Sequence, residues 1–287
     1  MCSVYLRCQV FYSFLVFLPV WYVAPAVADF HYSDFSSVDG IRMRGDAIQS
    51  GNRLRLTPAA YHQHGSAWIR YREIVDDGFR CRFQFQMTGG GSQPGFSGVG
   101  GDGLAFVIQN SSVTALGDYG SGIGYGGVGD REAIPNSVAV EFDTWKNSDL
   151  NDPNGNHVSV HTRGLSPNSP HEDYSLGSTT FVPDFLAGAI HTVELRYLPG
   201  VMDIFVDDLA TPVFVVPLDL NQTLALSQGQ AWIGFTASTW NGWANHDILN
   251  ASFNAIPESD TFLMLTMFVW VVFCLSALFR RSPKLCT

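Results

Sequence analysis

Cysteine is scarce in the central part of the chain. Of five cysteines, Cys2 and Cys8 lie near the amino terminus and Cys274 and Cys286 near the carboxyl terminus, which leaves Cys81 between them. A single thiol cannot form a disulfide within its own region, so a small disulfide-stapled fold is excluded there. We expect Cys81 to be an ordinary core residue in a domain stabilised by a large apolar core, together with any bound metals.

The chain also has few positively charged residues and no long segment with helical periodicity. The 287 residues include 16 Lys+Arg against 26 Asp+Glu, a formal net charge of −10, which argues against nucleic acid as a partner. Charged residues make up only 15% of the chain, while 28 residues are glycine and 13% are aromatic. This composition is typical of an all-β protein with many turns.

Short alternating segments predict the strands. Residues 81–87 and 192–197 alternate apolar with polar side chains, as expected for a sheet with one solvated face. Residues 104–108 and 138–142 are more continuously apolar, which indicates strands buried between layers. The sequence therefore predicts an all-β fold of two antiparallel sheets packed as a jelly-roll sandwich, forming one domain over residues 29–256.

The amino-terminal segment has the features of a signal peptide. Arg7 supplies a positive charge, residues 10–23 form an apolar run, and Ala26-Val27-Ala28 is a small-residue cleavage site. We therefore predict that residues 1–28 are removed and that the mature chain begins at Asp29. The alternative is a buried core strand or an amino-terminal anchor.

An acidic segment between two predicted strands is the most informative part of the sequence. The strand ending at Asp143 places Glu141 and Asp143 on one face, because side chains alternate with a period of two. A loop rich in asparagine and aspartate, including Asn147 and Asp152, then leads to His157 at the start of the next strand. Several carboxylates and one histidine therefore converge at one end of this hairpin.

A bound dication would keep these mutually repelling carboxylates ionised. Glu141, Asp143, Asp152 and His157 form a mixed oxygen and nitrogen set suited to Mn²⁺. Asp143 and Asp152, with the Asn147 amide and a loop carbonyl, form an all-oxygen set suited to Ca²⁺. The alternative is an acidic, solvated hairpin loop that binds no ion. An EF-hand does not fit, because its D-x-[DN]-x-[DN]-G pattern is missing.

Two glycine-rich segments, residues 98–103 and 120–127, form a second group of candidates. Glycine-rich loops let backbone N–H groups approach a ligand, and the carboxylate of Asp102 can accept hydrogen bonds from the hydroxyls of a polyol. A phosphate-binding loop is excluded, because the required lysine and following helix are missing. The pattern indicates a sugar site, with simple turn geometry as the alternative.

These segments together resemble the legume-type (L-type) lectins. The resemblance rests on VAVEFDTWKN at 138–147, followed by Asp152-Pro153 and His157, and on GDGLAFVIQ at 101–109, GSGIGYGG at 120–127 and WIGFTAST at 232–239, in the family's order. It extends over residues 29–256 and implies a legume-lectin-like, concanavalin-like sandwich.

The resemblance also implies a role for particular residues. It implies that Glu141, Asp143, Asp152 and His157 bind the transition ion, and that Asp143, Asp152, Asn147 and the carbonyl of Trp145 bind calcium. It implies that the sugar contacts Asp102, Gly122, Gly124, Trp145, Asn147 and Trp240, with Gly122 and Gly124 in a loop of backbone donors. For Trp240 the alternative is an ordinary core residue. One departure is Gly101, which replaces the family's usual alanine at a cis peptide bond before Asp102.

Three functions follow as hypotheses. The leading one is a Ca²⁺- and Mn²⁺-dependent carbohydrate-binding protein without catalytic activity. The second is a jelly-roll glycoside hydrolase acting on glucans, because the E-F-D run at 141–143 is similar to the E-x-D-x-E strand of certain endoglucanases. Trp145, however, stands where that strand would need its second carboxylate. The third is a structural surface protein that keeps the fold without binding sugar, and the presence of Asp102 and Asn147 argues against it.

The carboxyl-terminal segment 257–287 determines the expected location. Residues 261–279 are apolar and uncharged, and Arg280-Arg281 follows them, which predicts one membrane span. With Pro257-Glu258 before it, the segment resembles the Pro-Glu-Pro (PEP-CTERM) sorting signals of exported bacterial proteins, although Ser259 replaces the final proline. We expect an exported, surface-tethered protein whose partners are a glycan and the membrane, and the resemblance allows a homo-oligomer. The alternative is a type I membrane protein of the eukaryotic secretory pathway.

Overall fold

The computed structural model describes residues 29–96, 98–129 and 131–256. The predicted signal peptide at 1–28 and the predicted membrane span within 257–287 lie outside the described residues, so both stay predictions. In the described part of the chain, no helix has the length and apolar character needed to cross a membrane.

The described residues form mainly β-strands. In chain order they are β1 Asp29–Tyr32, β2 Ile41–Gly45, β3 Ile48–Ser50, β4 Arg53–Thr57, β5 His64–Ile69, β6 Glu73–Ile74, β7 Phe79–Ser92, β8 Gly103–Gln109, β9 Ser137–Asp143, β10 His157–Thr162, β11 Ser175–Thr179, β12 Ile190–Leu198, β13 Gly200–Val206, β14 Phe214–Leu218, β15 Gln230–Ser238 and β16 Gly242–Ala255. The short helices are α1 Leu220–Thr223 and the 3₁₀ turns Gly120–Gly122, Ser148–Leu150, Glu172–Tyr174 and Phe185–Ala187.

The strands form two eight-stranded sheets in which neighbouring strands are antiparallel. The first sheet has the order β14-β13-β12-β7-β16-β4-β3, and β1 also pairs with β16. The second has the order β11-β10-β9-β8-β15-β5-β2, and β6 also pairs with β15. The predicted all-β sandwich of two antiparallel sheets is confirmed.

The core lies between the two sheets and follows the predicted alternation. Along β7 the inward residues Phe79, Cys81, Phe83, Phe85 and Met87 are all 0% exposed. Phe83 stacks on Phe106 of the opposite sheet, with ring centroids 6.0 Å apart, and contacts Phe235 edge-on at 4.9 Å. Each fully buried phenylalanine contributes roughly 2 kcal/mol through loss of apolar surface from water. Cys81 is a core residue as predicted, and burial raises the pKa of its thiol.

The two central strands of the second sheet, β8 and β9, are buried along their whole length. Their inner faces belong to the core between the sheets. On the outer face, Ala105, Val107 and Ala139 pack against a second apolar cluster that includes Ile123 and Tyr125. The glycine-rich segment therefore covers the outer face of this sheet, and it places Tyr125 above β9.

Candidate functional site

The pairing of β9 with β10 positions the acidic side chains. Asp143, the last residue of β9, pairs with His157, the first residue of β10. Phe142 belongs to the core between the sheets, so Glu141 and Asp143 project from the opposite face, as their alternation predicts. Glu141, Asp143 and His157 are all buried, and their charges are therefore shielded from water.

A group of three side chains brings metal-ligating atoms together. Among the described residues, Glu141, His157 and Glu172 each offer one ligand atom within 4.8 Å of the other two. Nε2 of His157 lies 3.6 Å from Oε1 of Glu141 and 3.7 Å from Oε1 of Glu172. These distances exceed hydrogen-bond length, and Nε2 of His157 has no hydrogen-bond partner. A buried imidazole nitrogen that faces two carboxylates fits a transition-metal ion.

Glu141 is held by two further side chains that the sequence analysis did not identify. The Tyr125 hydroxyl donates to Oε2 of Glu141 at 2.7 Å, and Nε2 of His161 lies 3.0 Å from Oε1. Burial opposes ionisation of Glu141, but His161 and His157 outweigh it and hold the pKa of Glu141 at about 2. Glu141 is thus a fixed carboxylate. The period of two along β10, from His157 to His161, is the signal that could have identified His161.

Two aspartates shape the loop between β9 and β10. Oδ1 of Asp143 accepts a hydrogen bond from the backbone N–H of Trp145 at 2.7 Å, and Oδ2 of Asp152 accepts one from the backbone N–H of Asn147 at 2.5 Å. Burial raises the pKa of Asp143 well above its usual range, and Glu141 adds to the shift. Burial also raises the pKa of Asp152, to about 7. Ionising these groups together is costly without a cation, so the electrostatics favour bound metal.

The arrangement of ligand atoms differs in part from the predicted ligand sets. Glu141 and His157 lie together, but the third member of their group is Glu172, which no sequence signal identified. Asp143 and Asp152 lie outside this group of three. Their roles as ligands therefore stay predictions.

Asp102 occupies a buried position before β8. Its side chain is 3% exposed, and Oδ2 has no hydrogen-bond partner. The peptide bond between Gly101 and Asp102 is cis. The backbone of Asp102 is tied to both neighbouring segments, because its N–H donates to Ser238 at 2.9 Å and its carbonyl accepts from the N–H of Thr144 at 2.8 Å. Burial, with Asp152 adding, raises the pKa of Asp102 to about 8.

A cleft of about 260 Å³ opens beside Asp102. It is lined by Phe96, Asp102, Tyr119, Gly120, Ser121, Arg131, Trp145, Asn147, Trp240 and Asn241. Four of these residues, Asp102, Trp145, Asn147 and Trp240, are predicted sugar contacts, and they come from the ends of β8, β9 and β15. The fold therefore brings together carboxylate, amide and aromatic groups suited to a small polyhydroxylated ligand.

The glycine-rich loop reaches this cleft at a different position from the predicted one. Gly120 and Ser121 line the cleft, whereas Gly122 and Gly124 are not among its lining residues. The N–H groups of Gly122 and Gly124 donate to carbonyl oxygens of their own loop, at 3.3 and 2.9 Å. Gly124 has a φ of +72°, and a Cβ there would lie 2.9 Å from the Ala237 carbonyl oxygen. Gly124 thus allows close packing against β15, and Gly122 packs against Asp118. Gly120 and Ser121 are the loop residues that reach the cleft.

Two tryptophan rings at the cleft are held in fixed positions. The Trp145 indole packs on glycine backbone, and a Cβ at Gly242 would lie 2.7 Å from its ring. The Trp240 ring stacks on Tyr119, with centroids 4.8 Å apart and an interplanar angle of 20°. Tyr61 contacts the same Trp240 ring at 5.0 Å. The lining therefore includes flat rings whose orientation is set before a ligand arrives.

A second cleft, of about 350 Å³, adjoins the first. It is lined by His64, Gly117, Asp118, Tyr119, Arg131 and Glu132, and so shares Tyr119 and Arg131 with the first cleft. Arg131 is fixed there by an ion pair with Asp118 at 2.9 Å. The two clefts therefore meet at Tyr119 and Arg131.

Comparison with known families and sequences gives one consistent group. The family model described as "Legume lectin domain" matches residues 27–262. Probable L-type lectin-domain containing receptor kinase S.7 of Arabidopsis thaliana is 33% identical over 165 residues, which cover 53% of this chain and 23% of that protein. The chain spans less than two thirds of the length of the curated relatives that it matches.

Solved structures show the same fold. Basic winged bean lectin with Tn-antigen has a TM-score of 0.63 and 26% sequence identity, covering 81% of this chain and 99% of that one. The exoplasmic/lumenal domain of VIP36, in its Ca²⁺/Man₃GlcNAc-bound form, has a TM-score of 0.60 and 18% identity, covering 79% and 89% of the two chains. Both structures share the two-sheet sandwich with this chain.

Proposed function

The chain belongs to the legume lectin domain family, and on that premise we propose that it binds neutral hexose-containing glycans in a metal-dependent manner without catalysing a reaction. One observation carries the proposal: the cleft beside Asp102 gathers the predicted contacts Asp102, Trp145, Asn147 and Trp240. The hydrolase alternative gains no second carboxylate here, because position 145 is a tryptophan that lines the cleft.

The site is proposed to recognise a sugar by the positions of its hydroxyl groups. Oδ2 of Asp102 is a buried acceptor without a partner, so a sugar hydroxyl would satisfy it. The Asn147 side chain adds an amide that can donate to a neighbouring hydroxyl, and Trp145 and Trp240 offer apolar faces to the ring. Once bound metal keeps Asp102 and the adjoining loop aspartates ionised, their carboxylates would repel an anionic sugar. The site is therefore expected to select uncharged sugars by the arrangement of their hydroxyls.

The proposed metal sites share Trp145 and Asn147 with the lining of the cleft. Asp143, Asp152, Asn147 and the Trp145 carbonyl would hold Ca²⁺, and Glu141, Asp143, Asp152 and His157 would hold Mn²⁺. When bound, the ions would neutralise the clustered carboxylates and fix the loop that carries Asn147. The unpartnered Nε2 of His157 and the raised pKa values of Asp143 and Asp152 support this assignment.

The proposed location is the cell surface. The signal-like segment 1–28 and the apolar segment 261–279 would export the chain and tether it to a membrane, with the tail removed if it acts as a sorting signal. The Arabidopsis relative, described as a receptor kinase, supports a membrane setting for a domain of this kind. A type I membrane protein of the secretory pathway is the alternative. Mass spectrometry of the native carboxyl terminus distinguishes a removed tail from a permanent span.

A glycan array tests the proposed function. The purified full-length chain should bind neutral hexose-containing glycans, and binding should be lost in EDTA and restored by Ca²⁺ plus Mn²⁺. Asp102→Ala should weaken binding by about 1–3 kcal/mol, or tenfold to a hundredfold, because the ligand hydroxyls lose their acceptor.

Asp149→Ala is the matched control, because Asp149 lies exposed in the same acidic loop. It should leave the affinity unchanged in calorimetry. An Asp102→Ala variant that binds glycan as well as the parent would move the sugar site elsewhere.

A further inference from the structure

We propose that Glu172 is a protein ligand of the transition ion, beside Glu141 and His157. Glu172 belongs to the 3₁₀ turn Glu172–Tyr174, which lies after β10 and outside the hairpin that carries the predicted metal ligands. The inference rests on the proposed function only for the presence of a transition ion, and it adds a ligand from a second segment of the chain.

The first support is the position of the Glu172 carboxylate. Its Oε1 atom lies 3.7 Å from Nε2 of His157 and 3.8 Å from Nε2 of His161. Together with Glu141 and His157 it forms a group whose ligand atoms lie within 4.8 Å of one another. Ligand atoms on one small dication are separated by a few ångströms, so the three side chains need only small adjustments to share an ion.

The second support is the chemical state of His157. Its Nδ1 atom lies 3.1 Å from the Asn154 carbonyl oxygen. Because a carbonyl can only accept, this contact places the proton of the neutral imidazole on Nδ1, so the neutral ring has its lone pair on Nε2. Nε2 belongs to a side chain that is 0% exposed, and it has no hydrogen-bond partner. A metal-binding histidine typically has its other ring nitrogen fixed in this way.

The third support is that both carboxylates are held in place. Glu141 accepts a hydrogen bond of 2.7 Å from the Tyr125 hydroxyl, and Oε1 of Glu172 accepts one of 2.9 Å from the Ser159 hydroxyl. A carboxylate whose position is set by a neighbouring donor loses little freedom when it binds an ion. The cluster is therefore organised around the space that His157 faces.

The composition of the group indicates the class of ion. One imidazole nitrogen with two carboxylates suits a divalent first-row transition ion such as Mn²⁺ or Zn²⁺, whereas Ca²⁺ prefers oxygen ligands alone. A ligand from Glu172 would also join the segment after β10 to the hairpin. The ion would then cross-link two parts of the chain and would leave more slowly than one bound by the hairpin alone.

The competing account is that protonated His157 and His161 balance Glu141 and Glu172 without any ion. Mn²⁺ titration of the full-length chain, followed by electron paramagnetic resonance, separates the two accounts. We expect the parent to bind Mn²⁺, and Glu172→Gln to bind it tenfold to a hundredfold more weakly while keeping its affinity for Ca²⁺. A parent chain that binds no Mn²⁺, or a Glu172→Gln variant that binds it as tightly as the parent, would overturn the proposal.

Asp173→Asn is the matched control, because Asp173 is the next residue of the same turn and its side chain is 73% exposed. It should bind Mn²⁺ like the parent, and an equal loss in this variant would also overturn the proposal.

If Glu172→Gln does not fold, Glu172→Asp serves in its place. Glu172→Asp keeps the charge but withdraws the carboxylate by one methylene, so it should change the visible spectrum of bound Co²⁺. An unchanged spectrum would contradict the proposal. The Mn²⁺ titration and the Co²⁺ spectrum both report on the bound metal ion. They are therefore independent of whether a glycan ligand is found.

Discussion

The backbone N–H of Asn147 donates a hydrogen bond of 2.5 Å to Oδ2 of Asp152. Asn147 lines the sugar cleft, while Asp152 is a proposed ligand of both ions. The backbone N–H of Asp152 also donates to the Asn147 carbonyl oxygen at 3.3 Å, so two hydrogen bonds join a proposed metal ligand to a residue that lines the cleft. Loss of the ions is therefore expected to change the cleft even where no ion contacts the sugar.

Metal removal should lower the melting temperature of the chain. Ions that bind only the folded state at about 100 times Kd contribute about 2.7 kcal/mol. Differential scanning calorimetry before and after chelation measures the effect, and Ca²⁺ plus Mn²⁺ should restore the original value. An unchanged melting temperature in metal-stripped protein would contradict the two-ion site.

Single substitutions should rank the ligands. Asp143→Ala and Asp152→Ala should each reduce the stabilisation by metal more than His157→Ala does, because each aspartate is proposed to contact both ions. Melting temperatures measured at saturating Ca²⁺ alone provide the control. Under that condition His157→Ala should be stabilised like the parent, and a loss of the Ca²⁺ effect in His157→Ala would contradict the ranking.

The metal-stripped chain should become less stable as the pH rises from 6.5 to 8.5. Burial raises the pKa of Asp102 to about 8 and that of Asp152 to about 7, compared with about 3.9 for an unfolded aspartate. The folded state therefore keeps protons that the unfolded state releases, and this stability is lost as the pH passes the folded pKa values. For each proton by which the folded state exceeds the unfolded state, the free energy of unfolding falls by about 1.4 kcal/mol per pH unit.

Two histidines act in the same direction within this window. Burial lowers the pKa values of His157 and His161, but Glu141 outweighs burial and leaves both raised, so their contribution is also lost as the pH rises. Burial lowers the pKa of His246 to about 4, so its opposite effect falls below pH 6.5. Thermal melts across the range check the sign. A melting temperature that rises between pH 6.5 and 8.5 in chelator would contradict the prediction.

Trp240 should matter more for oligosaccharides than for monosaccharides. It stacks on Tyr119, which lines both adjoining clefts. Trp240→Ala should weaken oligosaccharide binding about tenfold, because aromatic packing is worth about 0.5–1.5 kcal/mol beyond buried area. Trp243→Ala is the matched control, since Trp243 lies on β16 beside Gly91 and outside the residues that line the first cleft. Equal losses in the two variants, measured by calorimetry, would contradict this assignment.

The ion pair between the partly exposed Arg55 and the buried Asp247 should be important for stability. Asp247 is 0% exposed and accepts from Nε of Arg55 at 2.7 Å and from its Nη2 at 2.8 Å. Asp247→Ala should destabilise the fold by about 3 kcal/mol, because it leaves the Arg55 charge without its partner. Urea denaturation measures the change. Asn254→Ala, at an exposed position of the same strand, should have little effect, and an equally small effect of Asp247→Ala would contradict the prediction.

Local sequence patterns were sufficient for much of the fold. The alternation along β7 correctly predicts its buried face, because a strand has a period of two and only one of its faces meets the core. The same period places Glu141 and Asp143 on the side opposite Phe142. The resemblance to lectins also named four residues that do line one cleft, although the sequence separates them by up to 138 positions, from Asp102 to Trp240.

The sequence by itself thus determined the strands, the sandwich and the kind of chemistry available at the hairpin, because these depend on neighbours along the chain. Only the tertiary structure decided that Glu172 lies beside His157 and that Tyr125 holds Glu141, because both contacts depend on how separate segments pack over the second sheet. It also decided that Gly120 lines the cleft while Gly122 does not. Glycine occupies every second position from 120 to 126, so the sequence does not distinguish one of these glycines from another. Hydrogen bonds within the folded loop determine which of them reaches the cleft.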